Sequence, residues 1–307
     1  MKSSLLQIIG LCLALIISTS SIAQISFGTD DLPEAGSSLN YAVDTTLDFT
    51  GVAPSGGNRT WSFLSLSPDF METFQIADPI ATPFGSAFPN ADFAVLNPSV
   101  NAGTFTYYEV TENALVEIGI VSDRVQGAGQ VQAYNYNNTL NRYIFPYNFG
   151  AFTFDTLSYS VKFADARLGS DSIWIKHASA QVISDDAWGK VTTPVGTYNA
   201  IRQNNVEEIT DSIFTKDLGG EWQLFQGAAF GIEYYEWLTK ETNVWPVLRV
   251  DTDPEENNRP FRAAFSDIQA STREQLFANE ITVFPNPVVN GVVNFKTELN
   301  IQKEVRL

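Results

Sequence analysis

The stretch Asp171–Ile183, DSIWIKHASAQVI, predicts a long β-strand. It is rich in β-branched residues at one end, and such residues suit a pleated, half-buried surface. Ile173, Ile175 and His177 alternate along it, so we expect them to share one face of the strand. No window of the chain carries a sustained helical period of apolar residues. Further strands are predicted on both sides of this one, at 103–110, 113–120, 158–163, 230–240 and 246–250.

Turn signals separate these predicted strands. They are Ser55–Asn58 (SGGN), Pro68–Asp69, Asn97–Pro98 and Gly219–Gly220. A two-residue connection between 103–110 and 113–120 predicts a hairpin. We therefore expect residues 24–270 to form one all-β domain, either a β-sandwich or a strongly curved, half-closed sheet.

The composition is that of a folded, acidic protein. Hydrophobic residues make up 44% of the 307 residues, which is enough for one large core or two smaller ones. The chain has 35 Asp+Glu against 18 Lys+Arg, and no basic stripe that could neutralise phosphates. We therefore expect no nucleic-acid partner and no binding to an anionic membrane surface. The acidity favours solubility outside the cell.

The first 23 residues are typical of a secretory signal peptide. Lys2 supplies a positive start, and the apolar run Leu5–Ile17 is shorter than the ~20 residues that a membrane span needs. Small residues then precede a predicted cleavage between Ala23 and Gln24. The only cysteine, Cys12, lies inside the apolar run. The cleaved chain would therefore have no disulfide, thiolate nucleophile or cysteine-ligated metal.

The stretch ITVFPNPVVNGVVNFK, residues 281–296, predicts a stiff extended segment followed by a hairpin. Pro285 and Pro287 fix φ and lack a backbone donor, so they cannot occupy a central strand. The residue before each proline is pushed into an extended conformation. Asn290-Gly291 between two pairs of valines is typical of a type I′ hairpin turn. We place a linker at 271–280, where Ser271 caps a short predicted helix.

This tail resembles the opening of the C-terminal sorting domain of type IX secretion cargo, also called the Por secretion system sorting domain. The resemblance implies that residues 281–307 are the first part of a small Ig-like β-sandwich, since the domains of that family are longer. It also implies export of the folded cargo from the periplasm by outer-membrane sorting machinery, followed by attachment to surface lipopolysaccharide or release. The expected location is the medium or the outer surface of a Gram-negative bacterium. The residues that carry the resemblance are Val283, Phe284, Pro285, Asn286, Pro287, Gly291 and Phe295.

The core resembles uncharacterised cargo of the same secretion system. Two segments carry this resemblance, DAWGKVTTPVGTYNAIR at Asp186–Arg202 and YEWLTK at Tyr235–Lys240. Because that cargo has no assigned activity, the resemblance implies no catalytic residue. A Thr-Pro-x-Gly-Thr-Tyr turn in the first segment separates two predicted strands, and we expect Trp188 and Tyr198 to pack as core or cross-strand aromatics.

Several residues are candidates for chemistry. His177 is the only histidine, so a Ser-His-Asp triad would have to use it, although a lone strand histidine is more often structural. A glycosidase needs two facing carboxyl groups, and adjacent strand residues point to opposite faces. The neighbouring acids in the sequence are Glu207 with Glu208, Glu233 with Glu236, and Asp185 with Asp186.

Two further features suggest ligands. Asp251, Asp253 and Glu255, in the run DTDPEENN, are candidate calcium ligands, although the run lacks the glycine and spacing of an EF-hand. Calcium is the one cofactor that the sequence suggests. The 6 Trp and 11 Tyr residues offer ring faces for sugars, but core packing is the simpler explanation.

We therefore expect a secreted or cell-surface protein whose β-rich core has a binding or structural role, with a glycan as a candidate ligand. The alternatives are a polysaccharide hydrolase that uses an Asp/Glu pair and a carbohydrate-binding module. Facing carboxylates in a deep cleft would favour the hydrolase, and a row of exposed coplanar Trp or Tyr rings would favour the module.

Overall fold

A computed structural model describes residues 25–96, 104–122, 131–164, 166, 168–243 and 245–267, together with the backbone of three strands near the C-terminus. The chain divides into two units, residues 1–268 and 269–307. The predicted signal peptide, the cleavage between Ala23 and Gln24, and the predicted linker at 271–280 lie outside the described residues. No helix among the described residues is long and apolar enough to span a membrane.

The first unit is built almost entirely of strands. Strands make up 63% of the described residues and helices 7%, so the all-β prediction is confirmed. The strands are β1 (Ser38–Asp44), β2 (Gly56–Ser62), β3 (Phe70–Ala77), β4 (Phe93–Leu96), β5 (Phe105–Val110), β6 (Ala114–Ser122), β7 (Gln132–Ile144), β8 (Phe152–Ala164), β9 (Ser172–Thr192), β10 (Thr197–Lys216), β11 (Gln223–Leu238), β12 (Pro246–Asp253) and β13 (Arg259–Ser266). The helices within the described residues are short 3₁₀ turns at Thr29–Asp31, Pro79–Ala81, Gly85–Ala87, Lys240–Thr242 and Pro254–Glu256.

These strands form one sheet that closes on itself. The order is β10-β11-β12-β13-β1-β3-β4-β5-β6-β7-β8-β9, and β9 also pairs with β10, which gives a barrel-like ring of 12 strands. β2 lies outside the ring and pairs in parallel with the end of β9. Of the two predicted forms, the sheet has the curved one, and the curvature continues to full closure. Closure removes the free edges that an open sheet of this length would expose.

Strand β9 shows how the sequence produces this wall. Buried and partly exposed residues alternate along its whole length, and Ile173, Ile175 and His177 share the buried face, as predicted. The strand runs nine residues beyond the predicted end at Ile183. The predicted turn follows it, where the backbone amide of Thr193 donates to Gly196 O at 2.8 Å. Tyr198 is buried, and Trp188 is half-buried against the core, as expected for structural aromatics.

Other predicted strands are also confirmed. The hairpin predicted at 103–110 and 113–120 is β5–β6, closed by a hydrogen bond from Thr111 N to Ala114 O of 2.9 Å. The strands predicted at 158–163, 230–240 and 246–250 fall within or largely within β8, β11 and β12. These strands could be predicted from the sequence because each depends on a local pattern of residues.

Among the described residues of the first unit, apolar side chains form several clusters, two of which bear on the site. One cluster joins the N-terminal segment at Phe27 to side chains of several strands, including Tyr41 and Tyr143. A second cluster includes Leu157 and Ile173. Both clusters contribute residues to the wall of one internal cavity. The core therefore surrounds a cavity lined in part by polar groups.

The second unit contains a three-stranded antiparallel sheet in the order β14 (Thr282–Val289), β15 (Val292–Lys296) and β16 (Gln302–Arg306). Val289 pairs with Val292, so the hairpin has the two-residue connection predicted at Asn290-Gly291. The pairing steps from Phe284 to Val289, and β14 is an edge strand, which is where prolines are tolerated. The Ig-like sandwich stays a prediction, and the side chains of the sorting motif lie outside the described residues.

Candidate functional site

The closed sheet contains a cavity of about 860 Å³ that is partly open to solvent. Each of the twelve ring strands contributes at least one side chain to its wall. This volume lies within the range of small-molecule sites, which is about 300–1,000 Å³. A smaller hollow of about 540 Å³ lies at the outer loop 78–92, where the lining side chains carry two carboxylates and no cation. The internal cavity is therefore the better candidate site.

The cavity wall combines charged groups with aromatic rings. Its cations are Arg142, Arg249 and Arg262, and its carboxylates are Glu72, Glu117, Glu207, Asp211, Glu236 and Asp251. Its aromatic residues are Tyr41, Phe74, Tyr108, Tyr136, Tyr143, His177, Phe230, Tyr234 and Trp245. Such a wall presents ring faces and hydrogen-bonding groups to the same cavity.

Six of the charged side chains form a continuous chain of alternating sign. Arg142 pairs with Glu236, whose other oxygen lies 3.3 Å from Arg249 Nη1. Arg249 Nε in turn lies 2.7 Å from one oxygen of Asp251, and Arg262 Nη1 lies 2.9 Å from the other. The chain ends where Arg262 Nη2 meets Glu72 at 2.7 Å. Its three cations and three anions balance, so the network holds its side chains in place without a net charge.

The arginines of this network have further partners in the wall. Arg142 Nη1 donates to Asn205 Oδ1 at 3.2 Å and to the Tyr234 hydroxyl at 3.0 Å. The Arg249 guanidinium lies 3.8 Å from the centre of the Tyr234 ring. Burial is the largest single influence on the pKa of Arg142 and lowers it, but the charge of Glu236 and the neighbouring tyrosines together outweigh burial and raise that pKa well above its usual value. The guanidinium therefore stays charged inside the sheet.

The remaining three carboxylates of the wall have partners of another kind. Tyr136 donates its hydroxyl to Glu117 at 2.7 Å. Ser179 donates its hydroxyl to Glu207. His177 Nδ1 lies 2.6 Å from Asp211 Oδ1, and the two residues are directly opposite each other on β9 and β10.

Two buried amide side chains beside these carboxylates have an atom without a hydrogen-bond partner among the described residues. They are Gln181 Oε1 and Asn205 Nδ2, in residues that are 6% and 2% exposed. Gln181 lines the cavity and lies directly opposite Glu207. A buried polar atom without a partner costs about 1–3 kcal/mol. Of the two residues, Gln181 belongs to the wall, so its Oε1 marks a part of the wall that is suited to a bound molecule.

The structure separates the acids that are neighbours in the sequence. Glu207 lines the cavity, whereas Glu208 is exposed on the opposite face of β10, as strand alternation predicted. Glu236 lines the cavity, whereas Glu233 accepts a hydrogen bond from Tyr235 at 2.7 Å and is not part of the wall. The cavity instead brings together acids from different strands.

Asp185 and Asp186 also lie outside the cavity wall. Asp185 is buried and accepts hydrogen bonds from the Tyr147 hydroxyl and from Gln203. Asp186 holds the buried Arg202 through two bonds, of 2.8 Å from Nε and 2.7 Å from Nη2. Both acids therefore have structural partners.

His177 lies in the wall of the cavity rather than in a hydrolytic triad. Its ring stacks on that of Tyr159 with centroids 4.7 Å apart. Its described hydrogen-bond partner is Asp211, and no described hydrogen bond joins it to a serine. This arrangement agrees with the structural role that the sequence favours.

The candidate calcium ligands are not brought together. Asp251 belongs to the alternating network between two arginines. Asp253 accepts from Glu255 N at 2.9 Å and so caps the short 3₁₀ turn that follows β12. Among the described residues, no group of three or more His, Cys, Asp and Glu side chains could hold a metal ion.

Among the described residues, the half-buried Trp174 and Trp222 form an aromatic pair on the outer surface. Their ring centroids are 5.6 Å apart and their planes meet at 61°. Lys162 and Lys176 lie over the Trp174 ring, 4.2 Å and 3.7 Å from its centroid. This pair is therefore not the coplanar platform expected of a carbohydrate-binding module.

Comparisons of this chain with protein-family models, with curated proteins and with solved structures found no match. The internal cavity is therefore the feature on which a functional proposal rests.

Proposed function

We propose that the closed sheet is a binding module that holds a small, polar, sugar-like molecule in its internal cavity. The supporting observation is a cavity of about 860 Å³ whose wall combines the rings of Tyr108, Tyr136 and Trp245 with carboxylate and amide groups. Ring faces stack on the apolar faces of a sugar, and carboxylates and amides hydrogen-bond to its hydroxyl groups.

The wall is organised before a ligand arrives. The six-residue charged network fixes side chains from β3, β7, β11, β12 and β13 relative to one another. A preformed site avoids the loss of about 0.5–1.5 kcal/mol for each side chain that binding would otherwise immobilise. Such a network supports a binding role more than a purely structural one, for which an apolar interior would suffice.

Hydrolysis of a polysaccharide is supported less well. A glycosidase needs one protonated carboxyl group facing a second carboxylate. Both oxygens of Glu236 are taken by arginines, so neither is free to deliver a proton to a substrate. Asp185 has a raised pKa but lies outside the wall of the cavity. The geometry therefore favours binding over catalysis.

The binding proposal is tested by titrating the full chain with neutral, acidic and amino mono- and disaccharides in a calorimeter. We expect at least one sugar to bind with one-site stoichiometry. Thr106 lines the cavity, so Thr106→Tyr should fill part of it and weaken binding at least about tenfold. Thr210→Tyr, on the exposed face of β10, is the matched control and should leave binding unchanged.

Thermal unfolding of both variants verifies that they fold. The proposal is wrong if no sugar in the panel binds to the wild-type chain. It is also wrong if Thr106→Tyr and Thr210→Tyr bind the same sugar equally well, because the ligand would then lie elsewhere.

We also propose that the protein is exported by the type IX route. The support is the sorting motif at 283–295, the signal-like N-terminus and the acidic, cysteine-free core. The two-residue hairpin between β14 and β15 agrees with the opening of such a domain. The two proposals are compatible, because a protein attached to the cell surface can bind sugars there.

Deleting residues 281–307 in the Gram-negative host is expected to abolish surface delivery and to leave the protein in the periplasm. Protease treatment of intact cells, followed by detection of the core, measures the exposed fraction. Ser271→Ala, in the predicted linker outside the motif, is the control and should keep normal delivery. Unchanged delivery of the deletion variant would contradict the export proposal.

A further inference from the structure

We infer that the ligand is the end of an oligosaccharide chain, whose first unit lies in the cavity and whose following units pass out along strand β11. This inference rests on the proposed binding function and narrows its ligand class. It is carried by the place where the cavity opens, by an uncharged strand edge beside that opening, and by the side chains that lead from one to the other.

The cavity opens beside Phe230 on β11. Of the described residues that line it, Phe230 alone is exposed, at 44%, and the others are buried or half-buried. The pairing of the strands changes at the same place, because β12 pairs with β11 from Glu233 to Leu238. The part of β11 before Glu233 has β10 on one side and no described strand on the other. A ligand longer than the cavity would therefore leave it beside Phe230.

The strand edge beside this opening carries no charge. Residues 223–231, QLFQGAAFG, contain neither a charged residue nor a proline, in a chain whose net charge is −17. Leu224 and Phe225 are 61% and 53% exposed there. Proteins usually protect a free strand edge with charged residues or prolines. An exposed apolar segment that lacks them, next to a cavity, marks a surface that binds a ligand.

A ligand fits this edge better than an added β-strand does. A bulge interrupts the pairing of β11 with β10 and leaves Phe225 without an opposite residue. Bulges twist a strand edge away from further pairing, and beside binding sites they re-aim side chains. The edge therefore keeps its exposed apolar side chains but lacks the regular row of backbone groups that an added strand requires.

Side chains suited to a sugar continue from the cavity onto β11. Beyond the bulge, Gln226, Ala228 and Phe230 alternate along the strand and so share its cavity face, because Phe230 lines the cavity. The exposed ring of Phe230 offers an apolar face on which a sugar can stack. The small side chain of Ala228 leaves space beside that ring, and the amide of Gln226 can both donate hydrogen bonds to hydroxyl groups and accept them. One sugar unit in the cavity can therefore be followed by further units on this face.

The inference is tested by titrating the full chain in a calorimeter with oligosaccharides of increasing length. The probes are glucose, mannose, galacturonic acid and N-acetylglucosamine, each as a series of one to five linked units. We expect the affinity in at least one series to rise at least about tenfold from one unit to three, because the added units contact β11. The affinity should then level off, because later units lie beyond the protein.

Two phenylalanine substitutions locate the effect. Phe230→Ala removes the ring at the opening, and we expect it to weaken binding of three linked units at least about fivefold and binding of one unit less than about twofold. Phe152→Ala removes a phenylalanine that is 68% exposed on β8 and does not line the cavity, and we expect it to change neither affinity. Thermal unfolding verifies that both variants fold.

The outcomes separate this inference from the proposed function. If one unit binds as tightly as three, or if Phe230→Ala weakens both equally or behaves like Phe152→Ala, the ligand does not extend along β11 and the binding function still stands. If sedimentation shows a dimer that Phe230→Ala dissociates, the edge binds a second copy of the chain and the inference is wrong. If no sugar of any length binds, the inference and the binding function are both contradicted.

Discussion

Replacing Arg142 with methionine is expected to lower the free energy of unfolding by about 3 kcal/mol or more. The side chain of Glu236 is 4% exposed, and Arg142 is one of its two cationic partners. Methionine keeps the apolar stem of arginine but removes the guanidinium. The buried carboxylate of Glu236 is then left with one cationic partner instead of two. Asn205 and Tyr234 lose their donor at the same time. Urea unfolding followed by circular dichroism measures the change.

Two controls show whether the loss comes from the buried charge. The double variant Arg142→Met/Glu236→Gln removes both charges and should recover a large part of the lost stability. Arg259→Met removes an arginine from a pair whose side chains are 67% and 60% exposed, and should cost less than about 1 kcal/mol. Equal losses in Arg142→Met and Arg259→Met would show that the network does not stabilise the sheet.

The individual strands could be predicted from the sequence because each depends on a local pattern. Alternating residues gave the strand at 171–183, and a two-residue gap gave the β5–β6 hairpin. The closure of the sheet could not be predicted in this way. It depends on which distant strands pair, such as β1 with β13, and alternation says nothing about partners.

The cavity could not be predicted from these local patterns for a related reason. Polar residues in an alternating strand are usually assigned to the solvent face. His177, Ser179 and Gln181 instead share the buried face of β9 with Ile175 and Ile183. This mixture of polar and apolar residues on one face could have predicted the cavity, because polar residues within an otherwise apolar face indicate a polar space inside the sheet.

Sequence proximity was a poor guide to which charges meet. Alternation places Glu207 and Glu208 on opposite faces. The pairs that form in the cavity are far apart along the chain, 34 residues for His177 and Asp211 and 94 residues for Arg142 and Glu236. Such pairs follow from the register of the sheet, which short-range patterns do not specify.

Replacing Asp185 with asparagine is expected to stabilise the protein at pH 8 and to have little effect near pH 4. Burial raises the pKa of Asp185 to about 7, although hydrogen bonds from Tyr147 and Gln203 oppose the change. The ordinary value is 3.8, so between these values the folded state holds a proton that the unfolded state has lost. Stability from this group is therefore present below about pH 4 and falls as the pH rises towards 7.

The size of this effect follows from the two pKa values. Their difference corresponds to roughly 4 kcal/mol at pH 8, which asparagine should restore because it cannot ionise and its Oδ1 accepts the same hydrogen bonds. Urea unfolding of both proteins at pH 4 and pH 8 measures the difference. Tyr147→Phe removes a hydrogen bond that favours the charged form, so its loss of stability should be larger at pH 8 than at pH 4. A difference between wild type and Asp185→Asn that stays constant across this range would contradict the prediction. It would mean that the pKa of Asp185 is the same in the folded and the unfolded chain.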